Sequence, residues 1–128
     1  MLRYRFLGNN KPAWIERELL TPEKAIEMIH RGGGTATVAH PGLSRVERFE
    51  LEPLVKAGLD GLEVYHSDHN ESMRNKLLVV AQELKLTPTS GSDFHGELVA
   101  PHRHLGTANM PEPRLVELEA RSKQYVVA

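Results

Sequence analysis

From Thr21 onward the chain switches between apolar residues at helical spacing and short continuous apolar runs, and Gly, Pro, Ser or Thr marks each switch. Thr21 and Pro22 read as an N-cap and first helical position, Ala25, Ile26 and Ile29 supply an inward stripe, and Gly32 to Gly34 end the helix. The run Thr35 to Ala39 then predicts a short buried strand, which His40-Pro41-Gly42 stops because proline has no N–H for the ladder. Ser44 with Glu47 has the spacing of a capping box, predicting a helix that presents Val46, Phe49, Leu54 and Val55 and stops near Gly58.

Gly61 to Tyr65 predicts the next strand, followed by a polar turn at His66-Ser67-Asp68. A longer helix then runs to about Lys85 and turns Met73, Leu77, Leu78, Val80, Ala81 and Leu84 inward. Leu86 to Thr89 predicts a third strand, weakened by Pro88. The stretch from Gly96 to Pro113 reads as loop and Pro113 to Arg121 as a closing helix. Successive βα-type crossovers imply α/β structure with parallel strands, either an open sheet or an arc of a barrel, and periodicity does not choose between them.

At 128 residues the chain is one domain-sized unit, and its formal net charge of −1 gives no global basic field for gripping nucleic acid. With no cysteine, any metal must be held through nitrogen and oxygen. No stretch has the apolar length of a membrane span and Met1 to Phe6 has no apolar signal core, so a cytoplasmic location without membrane contact is expected.

His40 and the run Asp93-Phe94-His95 fall just after predicted strands, at the carboxyl ends where parallel α/β folds build their sites. In extended backbone Asp93 and His95 would point the same way, and Gly91 and Gly96 on either side allow tight bends. A carboxylate with two imidazoles suits Mn, Fe or Zn better than Ca or Mg, and such ions polarise a phosphoryl group and activate water near neutral pH. The bland alternative makes His40 a strand-end hydrogen bonder and Asp-x-His a helix cap, and spacing alone leaves the two readings open. Glu63 and Tyr65 alternate with Val64 at a strand end, which puts His66 at the rim, where it can contact a substrate phosphate; the alternative has Glu63 satisfying buried polar groups and His66 and His69 starting a helix. His102 and His104 flank Arg103 in a Pro-bounded loop that reads as solvated, and His30 reads as a partner of its own helix dipole.

Taken together, Ala39-His40-Pro41, then Gly61-Leu62-Glu63-Val64-Tyr65, then Gly91-Ser92-Asp93-Phe94-His95-Gly96 resemble the later motifs of the PHP (polymerase and histidinol phosphatase) family in order and spacing. Lys11 to Ile15 with Thr21 to Ile26 resembles the lead-in to these motifs in the bacterial branch acting on nucleotides and RNA ends, and Leu105-Gly106 resembles the step that follows them. The resemblance implies the C-terminal half of a distorted (β/α)7 barrel, with three or four parallel strands and flanking helices. It also implies a divalent-metal cluster at the strand ends, in which His40, Asp93 and His95 are ligands. The implied activity is hydrolysis of phosphoester bonds in nucleotides or at the 5′ ends of short RNA, a histidinol-phosphate-type substrate being the alternative within the family.

The family's opening His-x-His pair, its Asp, a further His and a bridging Glu have no counterpart here, since the stretch before Thr21 contains neither histidine nor aspartate. The expectation is therefore a C-terminal portion, residues 1–128, of a PHP domain whose N-terminal half is absent, inactive or nearly so by itself. Exposed barrel edges would favour a homo-oligomer, and a non-catalytic assembly module is the competing expectation.

Overall fold

The computed structural model describes residues 5–6, 10–15 and 18–125. Its elements in chain order are α1 (Pro22–Arg31), β1 (Thr37–Val38), α2 (Pro41–Ser44), α3 (Arg48–Lys56), β2 (Gly61–His66), α4 (Glu71–Glu83), β3 (Thr87–Gly91) and α5 (Glu112–Ser122). The three strands are parallel in the order β1-β2-β3, with Thr37 opposite Gly61 and Gly61 opposite Thr87. All three therefore present their carboxyl ends on one side.

Thr21 caps α1 as expected, its hydroxyl accepting from Lys24 N at 3.3 Å. The next helical region differs from the expectation. Pro41–Ser44 forms its own single turn, and Arg45 in the left-handed region (φ 52°) closes it before α3 begins. The reciprocal cap moves from Ser44/Glu47 to Glu47/Glu50, where Glu47 N donates to Glu50 Oε2 at 2.8 Å. Ser44 instead lies 3.3 Å from His40 Nδ1, and Phe49, expected to face in, is 70% exposed. Leu51 is the buried residue of α3.

Leu62 and Val64, fully buried on β2, join Ile26, Ala36, Leu51, Leu59, Leu77, Ala81 and Leu86 in a single core. Helices α1, α3 and α4 thus cover the sheet through one continuous apolar cluster. Pro88 is buried in β3 without cost to the ladder. Thr87 N points at β2 and donates to Asp60 O, so the next residue's missing N–H falls on the open edge. The long connection after β3 is irregular, as read from the sequence, and α5 returns to β3, where Arg121 donates to Thr87 Oγ1 at 3.1 Å and Lys85 O at 2.6 Å. Among the described residues no helix is long and apolar enough to cross a membrane.

The amino ends of the strands meet at Asp60, which is fully buried. Its carboxylate accepts from Ala36 N at 2.8 Å, His30 Nε2 at 2.8 Å and Tyr125 Oη at 2.9 Å. The His30 and Tyr125 rings stack, 3.7 Å between centroids and 8° from parallel. His30 lies in the last turn of α1, as expected, and is also a tertiary latch residue.

Candidate active site at the carboxyl ends of the strands

The chain leaves β1 through His40 in the left-handed region (φ 33°), and its N–H donates to Glu63 Oε2 at 2.6 Å. Glu63, half-buried on β2, thereby tethers the end of one strand to the middle of the next. Gly91, at the end of β3, makes room for it: a Cβ there would collide with Glu63 Oε1. Ser67 Oγ then donates to Ser92 O at 3.1 Å, holding the turn after β2 against the turn after β3.

Asp93 occupies the left-handed region (φ 51°), so the backbone is not extended here and simple alternation does not place it beside His95. The turn does so instead: His95 Nδ1 donates to Asp93 O at 2.7 Å and stands 3.4 Å from Asp93 Oδ1. Asp93 Oδ2 lies 3.7 Å from His66 Nε2. The His40 and His66 rings are 5.9 Å apart, edge to face. His40, Glu63, His66, Asp93 and His95 are thus drawn to one end of the sheet from three consecutive strands.

His66 is not at the rim. It is fully buried, and among the described residues its Nε2 has no hydrogen-bond partner. Burial, and secondarily the neighbouring His69 and Arg103, push its pKa below the ordinary histidine value, against the opposing pull of Glu63 and Asp68. The ring is therefore neutral near pH 7, and its partners fix the proton. Asp68 N donates to His66 Nδ1 at 3.0 Å, so Nδ1 is the bare nitrogen and Nε2 carries the hydrogen. His95 differs: a carbonyl can only accept, so its Nδ1 carries a proton. His69 shares that form through Val64 O at 2.9 Å, but it is buried, with Nε2 lodged against Gly42, where a Cβ would stand 2.8 Å away.

Two partners were hidden in sequence. Arg103, read as part of a solvated loop, lays its guanidinium between two carboxylates. Nε and Nη2 donate to Asp68 Oδ2, the former at 2.9 Å, and Nη1 donates to Asp93 Oδ2. His102 Nε2 adds a contact to Asp68 Oδ1 at 3.0 Å. Burial raises the pKa of Asp68, but the hydrogen bonds and charge of Arg103, with those of His102, outweigh it and hold the carboxyl below its ordinary value. The available signal was the His-Arg-His run, a basic side chain between two polar ones, opposite an aspartate in the turn after β2.

Among the described residues, no three His, Asp or Glu side chains already stand in metal-holding geometry. In donor chemistry the residues do fit a divalent ion: Asp93 offers a carboxylate, and His95 the Nε2 that its bond to Asp93 O does not use. His66 fits a different task, since an orphaned N–H seeks an acceptor such as a phosphoryl oxygen rather than a metal.

No family model matches the chain. It is 32% identical over 124 residues to the 3′,5′-nucleoside bisphosphate phosphatase of Chromobacterium violaceum, covering 91% of this chain and 44% of that protein. Over 95 residues it is 32% identical to the 5′-3′ exoribonuclease Rnm of Escherichia coli, covering 71% of this chain and 32% of that protein. Among solved structures, one described as a metal-dependent phosphoesterase from Bifidobacterium adolescentis superposes with a TM-score of 0.72 at 27% identity, over 89% of this chain and 41% of that one. The chain spans less than half the length of each of these relatives. Its relatives in sequence and fold are PHP-type metal-dependent phosphoesterases, and the chain matches the C-terminal part of that domain.

Proposed function

We propose that the protein to which this chain belongs is a cytoplasmic metal-dependent phosphoesterase acting on nucleotides or the 5′ ends of short RNA, and that residues 1–128 form the C-terminal portion of its PHP domain. His40, Asp93 and His95 serve as ligands to Mn, Fe or Zn, and His66 donates through Nε2 to a substrate phosphate. The observation that carries this reading is the gathering of these side chains at the carboxyl ends of β1, β2 and β3, with Nδ1 of His66 an acceptor and Nδ1 of His95 a donor. The ions would polarise the phosphoryl group and favour deprotonation of water near neutral pH. What this chain supplies is part of their ligation and an N–H for substrate, so by itself it is expected to hydrolyse little. Calorimetric titration of the chain with Mn²⁺ or Zn²⁺ tests the ligand assignment. Weak binding that disappears in the His40→Ala, Asp93→Ala double variant is expected, and indistinguishable isotherms for the two proteins would remove it.

A second reading concerns assembly. Ile15, Leu19, Leu98 and Leu105 are at least three-quarters exposed, and among the described residues no strand pairs with β3 on the side away from β2. Apolar surface and an unpaired edge together favour association with another copy. Light scattering at micromolar concentration is expected to give a dimer or larger, and a monomeric mass would count against it.

A further inference from the structure

Arg103 is placed unlike a surface arginine. Its side chain is 17% exposed, between the carboxylates of Asp68 and Asp93, each 22% exposed. The division of its donors is unequal. Nε and Nη2 are committed to Asp68, whereas only Nη1 reaches the Asp93 side chain, on Oδ2, the oxygen that also faces His66 Nε2 at 3.7 Å. Asp68 is secured from the other side by His102. One carboxylate thus serves as a fixed anchor for the guanidinium, and the other is held by a single nitrogen.

We propose that Arg103 is a displaceable counter-cation for Asp93: it balances and positions this carboxylate before a divalent cation binds, gives it up when one does, and then turns its freed Nη1 to a phosphoryl oxygen. This rests on the reading of Asp93 as a metal ligand. Two like charges cannot share Oδ2 at contact distance without strong repulsion, so the arginine and a divalent ion compete for that atom. Release of Asp93 does not set Arg103 adrift, because the two donors on Asp68 keep the guanidinium plane where it is. An arginine with its stem and one edge fixed and the remaining nitrogen free is well prepared for phosphate recognition. The Nε2–H of His66 is a second donor near the same oxygen, Asp93 Oδ2.

The arrangement predicts effects of opposite sign that a purely structural ion pair would not give. In calorimetric titrations of the chain with Mn²⁺, Arg103→Met removes the competitor and is expected to bind about tenfold more tightly than the parent, because the free carboxylate no longer has to be vacated. Asp68→Asn removes the anchor, leaves the whole guanidinium charge to Asp93, and is expected to bind Mn²⁺ more weakly. Inorganic phosphate added to the Mn²⁺-loaded proteins reports the other half: Arg103→Met is expected to bind it several-fold more weakly than the parent despite holding the metal better. Far-UV circular dichroism of each variant accompanies the titrations, and a general loss of fold cannot produce tighter metal binding. Mn²⁺ affinity in Arg103→Met equal to or below the parent's, with the His40→Ala, Asp93→Ala variant still losing binding, would overturn the role of Arg103 and leave the metal reading standing. Absence of Mn²⁺ binding in both the parent and Arg103→Met would overturn both.

Discussion

Asp60 immediately precedes β2 and His66 closes it, and both are fully buried. Around Asp60, each carboxylate oxygen has a partner: a backbone N–H from the loop before β1, an imidazole from α1 and a phenol from the segment after α5. Around His66, one ring nitrogen is satisfied and the other is left without a partner among the described residues. A buried polar group that is fully bonded contributes to the fold, whereas one left open is a cost that folding alone does not explain. The amino end of the sheet is accordingly a closed latch, and the carboxyl end keeps a donor, His66 Nε2, that no described residue uses.

Substitutions can break this contrast, and the largest effect belongs to the latch. Asp60→Ala leaves Ala36 N, His30 and Tyr125 without their acceptor and is expected to cost about 3–5 kcal/mol in urea unfolding, whereas Asp93→Ala costs no more than about 1 kcal/mol because its partner Arg103 retains Asp68. Equal losses at the two positions would erase the distinction. Tyr125→Phe, which removes a single bond to Asp60, is expected to cost about 1 kcal/mol in the same measurement.

Acid and base sharpen the contrast further, with smaller effects. Burial first, and then the bond to Asp60, raise the pKa of Tyr125 above the ordinary value of 10.0. A raised acid favours folding below its unfolded pKa, so the latch contribution is intact up to about pH 10 and fades as pH climbs through the folded value. The Tyr125→Phe variant should lack this alkaline loss in pH-dependent unfolding. Asp68 at the other end is depressed, so its contribution is present above the ordinary carboxyl value of 3.8 and is lost as pH falls through the folded one. Asp68→Asn should flatten that acid limb, and added salt should shrink it in the parent, since the pair is only partly shielded from water.

The order of elements, the parallel sheet and the strand-end position of His40, Asp93 and His95 were legible because they depend on local signals: apolar spacing, a proline after a strand, glycines at turns. The boundaries of α2 and α3 were not, because the choice between a cap at Ser44 and one at Glu47 was decided by Arg45 adopting a left-handed conformation, and nothing in its side chain announces that. The depth of His66 is not legible for a related reason. Alternation along β2 gives its facing, but burial comes from neighbours that arrive from other strands and helices. The roles of Asp60 and Arg103 are not legible because their partners lie 24–65 and 10–35 residues away respectively, and no short motif encodes such pairings.

Gly91 places the acid of β2 under the control of a residue that carries no functional group. Any side chain at that position would meet Glu63 Oε1, so the carboxylate whose other oxygen accepts from His40 N would have to move. A copy of this domain bearing alanine at 91 would retain every histidine, aspartate and glutamate and still have its carboxylate pushed from its seat. Surveys that separate working from decayed copies by checking acids and histidines alone would count such a copy as sound, so the glycine belongs on the checklist beside them.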